Sequence, residues 1–298
     1  MQASIIKATR AVNSAIGLSG IGRSMKIKME NKPFQNNAAM EEIKYLPYLI
    51  LPNLNYESQL ESIKSLLDSH KKADEVVSKD IDSITKVIKN YIQQDDGFYL
   101  QYLHDERAGI IHSSIYQSAA HCMASVGMLA PFVESLFFQG FNGIRKIFFN
   151  NNDPINNHAR WAYGEKEIWD CHYVLNNNNR RKDLVKGIIQ LGEAIGLDQY
   201  LPEKLEIMLT VLFSYRNKIF HYGFEWPLEE RQKYKKRIED EKWPTNWFNS
   251  ATSGGKPWII YLSDEFVEHC LENIDSTING FSRFLIKQIK NLEKQSKK

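Results

Sequence analysis

The sequence predicts a mostly α-helical protein, and three observations carry that prediction. Apolar residues recur at alternating spacings of four and three from Ala73 to Ile92, where Val77, Ile81, Ile84, Ile88 and Tyr91 form one seam flanked by Lys and Asp. Small and soft side chains crowd the stretch from Phe98 to Gly140 (Ala119, Ala120, Cys122, Met123, Ala124, Val126), which permits close helix packing in a bundle core. A third run has Leu205, Met208, Leu209, Leu212 and Ile219 as its apolar stripe, with Pro202 placed for its first turn and Gly223 where a left-handed terminating residue is expected.

Composition bounds the class. At 298 residues and 43% hydrophobic content the chain can bury a real core as one large or two modest domains. A net charge of +2, with Lys and Arg spread along the length, excludes a strongly basic histone-like binder. Any nucleic-acid contact must then come from a local patch. Cys122, Cys171 and Cys270 are odd in number and widely separated, which suggests neither a disulfide framework nor a zinc knuckle and fits a reducing, cytoplasmic compartment. No run of about 18 apolar residues is evident, so no membrane span is expected, and with no credible metal constellation in the sequence no metal or other cofactor is expected.

Taken in order, residues 1–40 read as a flexible basic leader. Lys7, Arg10, Arg23, Lys26 and Lys28 precede the first acid, Glu30. A transit peptide, a surface helix, an unstructured leader, or a start at Met25, Met29 or Met40 all fit that composition. Residues 41–97 form an N-terminal helical region. Its Val77–Tyr91 seam is either the buried face of a helix or a coiled-coil contact. Asp95-Asp96-Gly97 reads as a turn.

Residues 98–292 form the main helical domain, and 293–298 a frayed tail. Within the domain, Pro131 is expected to kink or restart its helix, and Glu134 on an apolar surface needs a partner. Asn150–Asn152 with Asp153-Pro154, and Asn176–Asn179, read as turns. Glu165–Leu175 is a short helix candidate, in which Asp170, Cys171 and His172 point to different faces and form no chelating or nucleophilic set. Asp183–Ile195 is an amphipathic helix stopped by Gly196. Trp258–Leu262 is extended and leads through Ser263, Asp264 and Glu265, good capping residues, into a last helix ending near Leu292. Ser253-Gly254-Gly255-Lys256 is no phosphate loop, because Pro257 stands where Ser or Thr is required.

The functional clue is Tyr215-Arg216-Asn217-Lys218-Ile219-Phe220-His221-Tyr222-Gly223. It places a permanent cation, a carboxamide and an imidazole within six residues. With 11 Arg, 8 His and 23 Asn, chance gives Arg-x4-His about 0.3 times and Arg-Asn-x3-His about 0.02 times. This pattern at the end of an apolar helix resembles the signature of the HEPN superfamily (higher eukaryotes and prokaryotes nucleotide-binding). The resemblance implies an all-α antiparallel bundle, metal-independent endoribonuclease activity and a composite site shared by two subunits of a homodimer. It also implies a place among toxin–antitoxin or antiviral-defence systems, with an antitoxin or defence-system partner.

Read chemically, His221 is an acid–base group for the 2′-OH and the 5′-oxygen, Arg216 a fork of donors for the phosphoryl oxygens, and Asn217 an orienting amide. Lys218, Tyr222, Arg231, Lys235, Lys236 and Trp247 are the candidate RNA-binding residues. The last four lie in or just after the charged segment Pro227–Glu241, which is either a solvated helical face or a basic wall with Trp247 stacking on a base. Five residues on a regular helix leave Arg216 and His221 about 140° apart, so convergence requires the helix to distort or end near Phe220, or the long Arg side chain to swing around the helix edge. In a structural reading Arg216 pairs with an acid such as Glu134 and His221 caps the helix end, leaving a non-catalytic nucleotide-binding or interaction module.

Overall fold

The computed structural model describes residues 46–91, 97–149, 157–162, 168–176 and 179–296. The basic leader and the turns at Asp95-Asp96 and Asn150–Pro154 lie outside these residues. The fold is mostly α, with 77% of it helical. In chain order it comprises α1 (Pro47–Ile50), α2 (Tyr56–Tyr91), α3 (Gly97–Phe148), a hairpin of β1 (Tyr173–Asn176) and β2 (Asn179–Lys182), α4 (Leu184–Ile195) and α5 (Leu205–Tyr222). Then come α6 (Leu228–Asp240), a second hairpin of β3 (Phe248–Ser253) and β4 (Lys256–Leu262), and α7 (Asp264–Ser296). The described residues group into two compact units, one from those within 46–56, 133–206 and 273–296, the other from those within 57–132 and 207–272. Each unit therefore draws on both sides of residue 98.

In the first unit the core is aromatic. Phe137 packs near Phe141 and edge-on to Phe281, with centroid separations of 6.0 Å in both cases. Two expectations change here. Pro131 does not restart its helix, since α3 runs unbroken from Gly97 to Phe148. Glu165, Lys166 and Glu167 of the expected short helix lie outside the described residues, and its end is a strand: Tyr173–Asn176 pairs antiparallel with Asn179–Lys182, in register Tyr173↔Lys182. The register brings β1 against α4 at Gly187, where a Cβ would lie 2.1 Å from the Cys171 carbonyl oxygen, so only glycine admits this approach.

The start and stop of α4 follow the sequence. Asp183 accepts a hydrogen bond from the Lys186 amide, and Gly196 closes the helix at φ 73°.

The second unit is built around rings from α6, β3 and the loops on either side of α6. Tyr234 of α6 meets Trp226, Trp243 and Phe248 edge-on at 5.1, 5.9 and 6.1 Å. Such pairs contribute about 0.5–1.5 kcal/mol each beyond their area burial, enough to fix how α5, α6 and β3 meet. The strand predicted at 258–262 is the inner part of β4, and Ser253–Lys256 forms the hairpin turn. At the start of α7 the Ser263 hydroxyl accepts from the Phe266 amide at 3.3 Å, which is the expected cap, and the helix extends to Ser296 rather than to Leu292.

The long helix α3 contains an 18-residue window of mean hydropathy 1.3, apolar enough by composition to cross a membrane, where inspection of the sequence alone finds no such run. Half of that window is buried inside the protein. Val126, Leu129, Ala130, Phe132, Val133 and Leu136 are each at most 2% exposed, so core packing accounts for much of its apolar character.

Candidate functional site

The Arg-Asn-x3-His motif occupies the last two turns of α5. Its inward stripe is Leu212, Tyr215 and Ile219, all at most 2% exposed. The Tyr215 hydroxyl donates to the Ile260 carbonyl at 3.3 Å, and its ring lies 5.7 Å from Trp226. These contacts fix the rotation of the helix about its axis. With Tyr215 inward, Arg216 is half-buried beside it, its guanidinium 5.4 Å from the Phe213 ring, while Asn217 and His221 are exposed one turn apart on the outer face. Phe220 stands next to them at 64% exposure.

The helix does not end at Phe220. It continues through Tyr222, and the Gly223 amide still donates to the Ile219 carbonyl at 2.9 Å. Arg216 and His221 thus remain about 140° apart around an unbroken helix. The expected local break does not bring them together within one chain.

What ends the helix is Gly223 at φ 67°, followed by Trp226, whose indole N–H donates to the Gly223 carbonyl at 3.0 Å. Outside this turn, Glu225 accepts from the Tyr116 hydroxyl at 2.6 Å and from the Trp258 indole at 2.5 Å. His112 stacks on Trp258 at 4.7 Å. Sequence reasoning misses this anchor because its members are 33 and 109 residues from Glu225 and share no pattern. The hydrogen bonds from Tyr116 and Trp258 hold the Glu225 carboxyl below its usual range. A depressed carboxyl stabilises above its unfolded pKa of about 4.3 and loses that contribution as pH falls through the folded value. Tryptophan fluorescence is therefore expected to show an acid transition below about pH 4.3 that is missing in Glu225→Gln. The same transition in both proteins would remove Glu225 as its cause.

The proposed basic wall is largely committed elsewhere. Lys218 pairs with Glu230 of α6 and lies 5.4 Å from the Tyr222 ring. Arg231 donates to the carbonyls of Pro257 and Trp258 at 2.7 and 2.6 Å, so it ties α6 to β4. Lys235 and Lys236 are exposed. Trp247 cannot stack on a base in this conformation, being 5% exposed and packed 5.1 Å from Phe266 and 4.8 Å from His269.

In the first unit Asp170 and His172 are brought together, against expectation, because the chain there turns instead of coiling. His172 lies 2.7 Å from Asp170 through Nδ1 and 3.0 Å from Glu134 through Nε2. Glu134 has thereby found its partner. Cys171 between them is fully buried, and desolvation pushes its thiol up to about 12, far from a nucleophilic thiolate.

No family model matches the chain, and no curated protein and no solved structure is significantly similar to it.

Proposed function

We propose that this protein is a metal-independent endoribonuclease of HEPN type that works as a homodimer with a site shared between two copies. The observation that carries this reading is the placement of Arg216, Asn217 and His221 on the last two turns of α5, with Asn217 and His221 open to solvent. In the reaction His221 removes the 2′-OH proton or protonates the departing 5′-oxygen. Arg216 stabilises the charge that gathers on the phosphoryl oxygens, and Asn217 orients the phosphate. The products are a 2′,3′-cyclic phosphate and a 5′-hydroxyl.

Because one copy directs its Arg216 and His221 to different sides of the helix, a single chain offers an incomplete set. A two-fold pairing of α5 supplies the missing group from the second copy, with exposed Phe220 available at the contact. Among the candidate RNA-binding residues, Lys235 and Lys236 are the exposed lysines that can meet the RNA backbone. A cytoplasmic location and a role as toxin or antiviral effector, with its own regulatory partner, belong to this reading.

The test is incubation with total RNA in EDTA, with end-group analysis, alongside sedimentation velocity across a concentration series. Cleavage leaving cyclic phosphate ends should persist in chelator while the protein stays folded, and specific activity should fall steeply below the dimer dissociation constant. A fully active monomer would rule out the shared site.

A second reading is a non-catalytic interaction or nucleotide-binding module. It is favoured by the half-buried stacking of Arg216 on Phe213, which suits a structural cation. In that case Arg216→Ala lowers the melting temperature and no RNA is cut.

A further inference from the structure

A second histidine between two carboxylates occurs in the other unit, and its geometry differs from that of His172. His70 and Asp74 stand one turn apart on one face of α2, and Asp264 is the first residue of α7. His70 is 7% exposed. Its Nδ1 lies 3.3 Å from Asp264 Oδ1 and its Nε2 lies 3.3 Å from Asp74 Oδ2. The Nε2 atom is buried and makes no hydrogen bond of acceptable geometry. One ligand atom from each of the three residues falls within 4.8 Å of the others. The His121 ring lies on the His70 ring at 4.3 Å and covers one face of it.

His172 shows what a histidine satisfied by two carboxylates looks like in this protein, with separations of 2.7 and 3.0 Å. The His70 separations are long for charge-assisted hydrogen bonds. Because they belong to opposite ring nitrogens, only one of them, Nε2 to Asp74 Oδ2, can be an edge of one ion's coordination tetrahedron, with Asp264 reaching in from within 4.8 Å. Zinc bonds of about 2.0–2.1 Å to nitrogen and oxygen give ligand–ligand edges of about 3.3–3.4 Å. A neutral imidazole and two carboxylates also balance a divalent charge, and an orphaned buried nitrogen costs free energy until something occupies it.

We propose that His70, Asp74 and Asp264 bind one divalent ion of the zinc class, with water completing the shell. The ion joins α2 to the first turn of α7, where the ion pair of Lys71 with Glu268 already crosses between the same helices. This site has no part in the cleavage chemistry of the motif. A proton on His70 is the competing occupant, since a doubly protonated ring donates to both carboxylates.

The experiment uses the full chain, stripped with chelator and dialysed, titrated calorimetrically with Zn²⁺ and separately with Mg²⁺. One equivalent of Zn²⁺ should bind, and saturation should raise the melting temperature. Asp74→Asn and Asp264→Asn should each weaken Zn²⁺ binding at least about 10-fold. His70→Gln should abolish it. Far-ultraviolet circular dichroism identifies any variant that fails to fold, and Asp74→Asn, at a half-exposed helical position, supplies the comparison if His70→Gln does not. Absence of saturable Zn²⁺ binding would overturn the proposal, as would binding that all three substitutions leave unchanged. Equal affinity for Mg²⁺ and Zn²⁺ would overturn the zinc assignment. Because the readouts are metal binding and melting, their failure leaves the ribonuclease reading standing, and failure to cleave RNA leaves the metal site standing.

Discussion

Replacing His221 with alanine is expected to slow RNA cleavage by a factor of about 10² to 10⁴, the range supplied by one positioned acid–base group. The side chain is exposed at the end of α5, so its removal opens no cavity and leaves no buried atom without a partner. The melting temperature should therefore stay within the change of about ±0.5 kcal/mol typical of surface substitutions. A large loss of rate without loss of stability separates a catalytic imidazole from a structural one. Wild-type cleavage by His221→Ala would sink the mechanism at its central residue. Arg216 requires the finer comparison, because it is half-buried against Phe213 and its truncation costs packing as well as charge. Arg216→Lys keeps a cation and loses the planar fork. A catalytic guanidinium predicts that lysine restores stability but not the rate.

The parts legible in the sequence are those that local chemistry decides. Ser263 before an acidic first turn, Asp183 three residues ahead of the amide it caps, and Gly196 and Gly223 past their helices each satisfy a backbone requirement within one turn of chain. The mostly helical class followed from apolar period, small side chains in a long run, and helix start and stop residues. Tertiary choices were not legible. Glu165–Leu175 has a helical composition, yet its end is drawn into a hairpin by Arg160 and Gly187. Trp247 sits beside a charged segment and reads as exposed, but Phe266 and His269 from the next helix cover it. Pro131 lacks the amide that an α-helix interior uses, and its exposed position in an unbroken α3 is not something the sequence announces. The site followed the same division. The motif was visible as a string, whereas the Glu225 anchor and the His70 cluster each depend on a partner more than 100 positions away, Tyr116 and Asp264, that no local spacing points to.

The largest expected effect on stability belongs to Arg160, which no motif singles out. The side chain is fully buried. Its guanidinium group donates to the carbonyls of Ile168 at 2.5 Å, Asp170 at 2.7 Å and Tyr173 at 2.9 Å, and to the Gln190 side chain at 2.8 Å. Gln190 in turn receives the Leu175 amide and donates to its carbonyl. One cation thereby organises the turn that precedes β1, the strand itself and its contact with α4. Burial draws the Arg160 pKa down to about 10, so it is still charged at neutral pH, and backbone oxygens solvate it in place of water.

Arg160→Ala leaves one buried and two part-buried carbonyls to find other donors, at about 1–3 kcal/mol each where water cannot reach them. A loss of about 3 kcal/mol or more is a large share of the 5–15 kcal/mol that holds a typical domain. At about 2–4 °C per kcal/mol, the melting temperature should drop by at least about 6–12 °C. Arg160→Lys should recover only part of this, because a single ammonium cannot span carbonyls on both sides of the turn. The check is thermal unfolding of wild type and both variants, followed by near-ultraviolet circular dichroism of Trp161 and Trp169, whose rings lie 5.7 Å apart beside this turn. Unchanged melting in Arg160→Ala would mean that water replaces the guanidinium at every carbonyl, and that the hairpin is held by strand pairing and the Gln190 bonds alone.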